Sequence, residues 1–202
     1  MRTGLISGFV VQVIVWLVLC LIGWYALGAV FAAPVGWLAG NLMHGIYPGW
    51  VDGFEMHGTQ IDLLTGLQLP SAQGAESGRV ALLTPEADYL TYGFGLPLMI
   101  ALFLASGRRK VLFKMLLAMA LLLPFTVFSV FFSWLKDVAI VAGPAVAGQV
   151  DFGELGRNAI ALAYQFGTLI LPTLAPIAIW LALDYSVLAP MLQKQGDIVS
   201  KD

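Results

Sequence analysis

The chain has 202 residues, of which 59% are hydrophobic and 11% charged, and its mean hydropathy is +0.87. This composition is typical of an integral membrane protein and excludes a disordered chain. Ten basic against twelve acidic side chains exclude an electrostatic nucleic-acid binder, and the single cysteine, Cys20, excludes an intrachain disulfide.

The first apolar run covers residues 5–33 and predicts transmembrane span one, because a spanning helix needs about 20 apolar residues. A cleaved signal peptide is the alternative, since Arg2 precedes the run and small residues end it. The run is longer than the roughly 7–15 apolar residues of a signal peptide, and Pro34 directly after it disfavours cleavage. We therefore expect residues 1–33 to form a retained anchor.

Residues 34–84 predict a periplasmic segment with an interfacial helix and a small β-sheet. Apolar side chains in 35–47 recur at spacings of one, three and four, which predicts a short helix along the membrane surface. Residues 50–56 and 59–65 alternate loosely and predict two antiparallel strands, and residues 79–83 predict a third.

Residues 85–190 contain three further apolar runs, which predict spans two to four at 85–106, 110–135 and 155–185. Thr84 and Pro85 are typical of a helix start and predict where span two begins. Pro172 and Pro176 predict a kink in span four. Residues 191–202 form the remaining tail. The predicted fold class is an all-α membrane protein, a four-helix transmembrane bundle with a small extracytoplasmic antiparallel β insertion between spans one and two.

Basic side chains concentrate in the turn between spans two and three, at Arg108, Arg109, Lys110 and Lys114. Because short cytoplasmic loops are enriched in Lys and Arg, this turn and both termini are predicted to be cytoplasmic. The same cluster is a secondary candidate for contact with anionic lipid.

Candidate catalytic and metal-binding residues are few. Cys20 lies within span one without a base or cation nearby, and His44 and His57 match no ligand spacing. A membrane-bound hydrolase that uses either histidine with the outer acids is a third hypothesis. Asp184 is interpreted as a boundary residue rather than a proton relay, and Lys136-Asp137 as an interfacial pair. We predict no catalytic residue, no cofactor and no metal.

Span four carries the most informative pattern. Ala159, Ala163 and Gly167 repeat at four-residue spacing, which lets a second helix approach closely, and Asn158 and Gln165 lie on an adjoining stripe. We expect this face to be buried against another helix, either within the same bundle or in a different subunit.

Two segments, TYGFGLPL at 91–98 and YQFGTLILPTLAP at 164–176, together with the basic turn at Arg108-Arg109, resemble the exosortase H-associated membrane proteins of Gram-negative bacteria. The resemblance implies an inner-membrane accessory protein beside an exosortase, a multi-spanning cysteine transpeptidase that sorts exported proteins with C-terminal recognition tails. It carries over no catalytic residue.

The functional hypothesis is therefore a non-enzymatic accessory subunit of the bacterial inner membrane whose partners are the lipid bilayer and another integral membrane protein, an exosortase, but no nucleic acid. The alternative is a small transporter or channel component, with Asp184, Gln165 and the proline-bent span four lining a polar path.

Overall fold

The computed structural model describes residues 3–69, 81–107 and 111–184. The α-helices, in chain order, are α1 Thr3–Ala26, α2 Gly28–Ile46, α3 Tyr89–Tyr92, α4 Gly95–Ser106, α5 Val111–Lys136, α6 Pro144–Val150, α7 Glu154–Gln165 and α8 Leu171–Leu183. Two π-helical segments, Asp137–Val141 and Phe166–Ile170, continue α5 and join α7 to α8. The strands are β1 Val51–His57, β2 Gln60–Thr65 and β3 Glu86–Asp88.

Within the described residues, four helical stretches are long and apolar enough to span a membrane: Ser7–Ala26, Gly28–Ile46, Val111–Val141 and Glu154–Leu183. The helix α4 is apolar but shorter. These stretches and a three-stranded antiparallel sheet of order β1-β2-β3 confirm a mostly helical membrane protein with a small sheet. The predicted spans three and four agree with α5 and with the stretch from α7 to α8.

The first apolar run differs from its prediction because it forms two helices. Helix α1 ends at Ala26, and α2 begins at Gly28 and continues through the expected boundary at Pro34. A Cβ at Gly28 would lie 2.8 Å from Thr59 Cγ2 at the tip of the β1–β2 hairpin. A side chain at the start of the second helix would therefore have to displace the Thr59 side chain.

The predicted start of span two at Thr84 and Pro85 is wrong. Residues Glu86–Asp88 pair with β2 as strand β3, and the Asp88 side chain caps the one-turn helix α3 by accepting a hydrogen bond from the Leu90 N–H at 3.0 Å. Cross-strand pairing outweighs local helix-start signals here, so α4 begins only at Gly95.

The third strand was also expected at 79–83. Residues 79 and 80 lie outside the described residues, and Leu82 makes only an isolated bridge with Gln68. The third strand of the sheet in the described residues is instead β3.

One face of the sheet packs on α2. Small residues of that helix recur every four residues on its buried side, at Gly28, Ala32, Gly36 and Gly40. A Cβ at Gly36 would lie 2.9 Å from Met56 Sδ, and a Cβ at Gly40 would enter the Phe54 ring. Missing side chains therefore let the sheet lie directly against the helix.

The other helices pack around α5 and α8. Helix α1 contacts α4, while α4 and α5 both contact α8, and α2 contacts α5. The π-helical segment Phe166–Ile170 ends two residues before Pro172. Proline lacks the N–H that a regular helix would use, and a π-turn is a common way to accommodate such a break. The irregularity in span four thus lies just before the expected 172–176 position.

Candidate functional site

In the part of the chain that the structure describes, the small-residue stripe of span four is fully buried only at Gly167. Gly167 is buried against α5: a Cβ there would lie 3.2 Å from Ser129 Cα, and the Ser129 hydroxyl donates to the Gly167 carbonyl oxygen at 2.7 Å. Ala163 is half-buried, and Ala159 is exposed. The stripe is therefore packed within the bundle at Gly167, and its exposure increases toward Ala159.

The predicted polar stripe faces outward. Asn158 and Gln165 are both exposed, and among the described residues neither side chain has a hydrogen-bond partner. Next to them, Leu155 and Leu162 are 84% and 71% exposed. Helix α7 thus presents an uncovered apolar ridge flanked by two carboxamides, and whether a partner covers it stays a prediction.

A groove of about 420 Å³ lies beside this ridge, between the π-helical segment Asp137–Val141, α6 and α7. Arg157 and Asn158 line its polar side, while Ala139, Ala147 and Ala161 line its apolar side. Ala161 is half-buried at this groove.

Asp184 is buried at the end of α8, where its side chain is only 1% exposed. Its carboxylate forms an ion pair with Lys114, with Lys114 Nζ 2.8 Å from Asp184 Oδ1. Lys114 belongs to the first turns of α5, so the pair joins the start of one spanning helix to the end of another. Arg108, Arg109 and Lys110, which complete the predicted basic cluster, lie outside the described residues.

The two residues of the transporter hypothesis are not brought together. Asp184 is held by Lys114 inside the bundle, whereas Gln165 lies on the outer surface of α7. Neither lines the groove beside α7 or the apolar crevice of about 210 Å³ between α2, α4 and α5.

The histidines lie at opposite ends of β1. His44 Nδ1 is 2.9 Å from the Val51 carbonyl oxygen at the start of the strand, and His57 Nδ1 is 3.3 Å from Asp62 Oδ2 at its end. Since a strand rises about 3.3 Å per residue, roughly 20 Å separates the two positions. In the part of the chain that the structure describes, no three His, Cys, Asp or Glu side chains are grouped to hold a metal ion.

Lys136 and Asp137 form the expected pair, with Lys136 Nζ 2.8 Å from Asp137 Oδ1. The same ammonium lies 4.6 Å from the centre of the Tyr164 ring, a cation–π distance. The contact with Tyr164 joins the end of α5 to α7.

The end of α5 also anchors the sheet, a role that the sequence did not reveal. The buried Trp134 donates its indole N–H to the Ile61 carbonyl oxygen at 3.3 Å, and the Ser133 hydroxyl lies 2.7 Å from the Tyr92 hydroxyl. The two contacts tie β2 and α3 to the same turn of α5. Alternation of Trp, Ser and Phe in an apolar run gives no signal for such long-range contacts.

Aromatic side chains reinforce this junction. Tyr47, directly after α2, has its ring centre 5.0 Å from that of Trp50, 6.5 Å from Phe131 and 5.9 Å from Phe152. Burial raises the pKa of the Tyr47 phenol, which stays neutral at physiological pH. The cluster links α2, α5 and the segment before α7.

Taken together, the long apolar helices and the small sheet packed at one end of them define a multi-spanning membrane protein. A family model described as exosortase H-associated membrane protein matches residues 4–187. The chain belongs to this family, as its sequence motifs indicated. Neither a curated protein nor a solved structure matches it.

Proposed function

We propose that the protein is a non-enzymatic accessory subunit of the bacterial inner membrane that binds an exosortase-type transpeptidase through the exposed face of α7. The match to the exosortase H-associated family over residues 4–187 carries this proposal. The arrangement of chemically reactive side chains supports the non-enzymatic part. Cys20 is half-buried within α1. His44 contacts the Val51 carbonyl oxygen and His57 contacts the Asp62 carboxylate, at opposite ends of β1.

The ends of α5 support the proposed orientation. Lys114, near its first turn, and Trp134, near its last, are twenty residues apart, which corresponds to about 30 Å of helix and to the thickness of a bilayer core. Trp134 contacts the sheet, whereas Lys114 follows the basic turn at 108–110. With that turn in the cytoplasm, the sheet is periplasmic.

The ends of α1 fit the same orientation. Phe9 stacks on Trp180 of α8 with ring centres 6.0 Å apart, so the beginning of α1 and the end of α8 are at the same level. Trp24, near the other end of α1, donates to the Tyr89 hydroxyl at 3.3 Å beside the sheet. Both termini are therefore cytoplasmic in this proposal.

Helix α2 then lies at the periplasmic surface. Its small-residue side is covered by the sheet, while Val30, Trp37 and Ile46 on other sides are 66%, 60% and 51% exposed. A sheet with acidic side chains and an open edge is not tolerated in hydrocarbon. We infer that α2 lies with its apolar surface toward the membrane and the sheet on top, although its length alone would permit a span.

The uncovered face of α7 is the proposed binding surface for the exosortase. Leu155, Ala159 and Leu162 follow one another at spacings of four and three, as in helix–helix contacts. Gln165 lies about 17 Å from the start of a 30-residue spanning stretch, so its exposed carboxamide is within the bilayer. Interhelical hydrogen bonds to such groups stabilise membrane complexes by about 0.6–2 kcal/mol.

Co-purification from native membranes in mild detergent tests the proposal. The wild-type chain should be recovered with the exosortase in stoichiometric amount, and Ala159→Trp should reduce that recovery several-fold by blocking the ridge. Ala33→Trp, which enlarges an equally small exposed residue on α2, serves as the matched control and should leave recovery unchanged. Recovery of the wild-type chain without exosortase, or equal loss in both variants, would contradict the proposal.

A further inference from the structure

Arg157 differs from the other described bases because it has no acidic partner. The described residues contain three bases, Lys114, Lys136 and Arg157. Lys114 forms an ion pair with Asp184, and Lys136 forms one with the residue that follows it. Arg157 forms neither an ion pair nor a side-chain hydrogen bond within the described part of the chain. Its guanidinium is therefore available to an anion from outside the protein.

Arg157 also lies at the level of the lipid headgroups. It is three positions after the start of the spanning stretch Glu154–Leu183, whose 30 residues correspond to about 45 Å of helix. A bilayer is about 40–45 Å thick with its headgroups and about 30 Å thick without them. The first turn of this stretch therefore lies in the headgroup layer, whichever side of the membrane it faces.

The groove of about 420 Å³ beside α7 changes from polar to apolar with depth. Arg157 and Asn158 line it near the start of the helix, at the headgroup level. Ala161 lines it one turn further along, about 6 Å nearer to the middle of the bilayer. One end of the groove thus offers a cation and a carboxamide, and the other offers only apolar surface.

The opposite wall has the same gradient. The Lys136 ammonium lies over the Tyr164 ring, which aligns the end of α5 with α7. Because the two spans run antiparallel, Ala139 lies at about the depth of Ala161, while Gly143 lies at the rim. A Cβ at Gly143 would meet no atom within 4 Å, so the rim is open.

We propose that this groove binds a phospholipid with a net anionic headgroup, such as phosphatidylglycerol, with its phosphate on Arg157 and an acyl chain along the apolar wall. A guanidinium donates two parallel hydrogen bonds to phosphate oxygens, and the Asn158 carboxamide is a further donor. The acids nearest in the chain, Asp151 and Glu154, do not line the groove. The bilayer supplies a phosphate and an acyl chain at the depths where the groove is polar and apolar.

The proposal requires only that the chain spans a membrane. It is independent of the exosortase interface, which is assigned to the ridge of α7 rather than to the groove. Both tests therefore use the purified full-length chain without exosortase, so that failure of one proposal is distinguishable from failure of the other.

Native mass spectrometry of the chain released from detergent micelles tests the headgroup site. The wild-type chain should retain phosphatidylglycerol in preference to phosphatidylcholine with the same acyl chains, and inorganic phosphate should bind far more weakly. Arg157→Gln should raise the dissociation constant for phosphatidylglycerol about tenfold or more, the loss expected for a hydrogen bond between charged groups, and Arg157→Lys should raise it less. Equal retention of both lipids, no effect of Arg157→Gln, or binding of inorganic phosphate as tight as that of the lipid overturns the proposal.

Phosphatidylglycerol with a photoreactive acyl chain, mixed into phosphatidylcholine vesicles, locates the bound lipid. Its adducts should concentrate between residues 137 and 161. Ala161→Phe fills the apolar end of the groove and should reduce them several-fold, whereas Ala178→Phe, at an exposed alanine of α8, should leave them unchanged. Arg157→Gln alters an exposed side chain and should also reduce the adducts, which keeps the test decisive if Ala161→Phe does not fold. Adducts spread evenly over the spanning helices, or equal yields from all variants, overturn the proposal.

Discussion

Replacing Gly167 with leucine tests the close contact between span four and α5. In the native protein the Ser129 hydroxyl donates to the Gly167 carbonyl oxygen at 2.7 Å. A Cβ at position 167 would already lie 3.2 Å from Ser129 Cα and 3.4 Å from Phe128 Cδ1. Since the nearest atom belongs to the backbone of a long helix, it cannot turn aside as a flexible side chain would.

The expected change in the free energy of unfolding follows from two destabilising terms and one that offsets them. Overpacking of a well-packed site costs about 1–3 kcal/mol, and weakening the Ser129 hydrogen bond costs about 1 kcal/mol more. The greater helix preference of leucine over glycine offsets about 1 kcal/mol. Gly167→Leu should therefore lower the free energy of unfolding by about 1–3 kcal/mol, and Gly167→Ala should lower it less.

Equilibrium unfolding in mixed detergent micelles measures this change. Ala178→Leu is the control, because it enlarges an exposed small residue of α8 and should change the free energy of unfolding by less than about 0.5 kcal/mol. Ala161 of α7 is unsuitable as a control because it is half-buried at the groove. Equal effects of Gly167→Leu and Ala178→Leu would refute the packing argument.

Two further perturbations address the ion pair and the sheet. Lys114→Met should lower the free energy of unfolding by about 1.5–3 kcal/mol, the worth of a hydrogen bond to a charged group, because it removes the ammonium 2.8 Å from the Asp184 carboxylate. Adding Asp184→Leu should restore part of that loss in a double-mutant cycle, and a double variant less stable than the single one would contradict this. Gly40→Leu should loosen the sheet because a side chain there enters the Phe54 ring, and proteolysis of the β1–β2 hairpin should accelerate, whereas Gly45→Leu, with open space around it, should leave the proteolysis rate unchanged.

Sequence reasoning predicted spans three and four well because hydropathy and length are local quantities, whereas it missed the break in the first apolar run and the start of span two. The bounds of spans three and four agree with the structure to within a few residues, and the hairpin of β1 and β2 lies where alternation placed it. The prediction of the start of span two failed because contacts between residues far apart in the chain determine the secondary structure there. Residues 84–86 carry good helix-start signals, yet pairing with β2 makes Glu86–Asp88 a strand.

Of the predicted packing face, the structure shows the close approach at Gly167, while a role for the rest of the face stays a prediction. Four-residue spacing identified a close approach at Gly167, but no local pattern says that Ala159 is exposed in the same stripe. The more extensive small-residue face, with Gly36 and Gly40 on α2, went unrecognised because it receives a sheet rather than a helix. Likewise, Asp184 looked like a boundary residue, since its partner Lys114 is seventy residues away in the chain.

Site-specific photocross-linking in native membranes tests the central claim, binding to an exosortase through α7, most directly. A photoreactive amino acid in place of Leu162, which is 71% exposed on the ridge, should yield an adduct with the exosortase. The same group in place of Val30, 66% exposed on α2, should yield none or far less. Absence of an exosortase adduct from position 162, or equal adducts from both positions, would contradict the account.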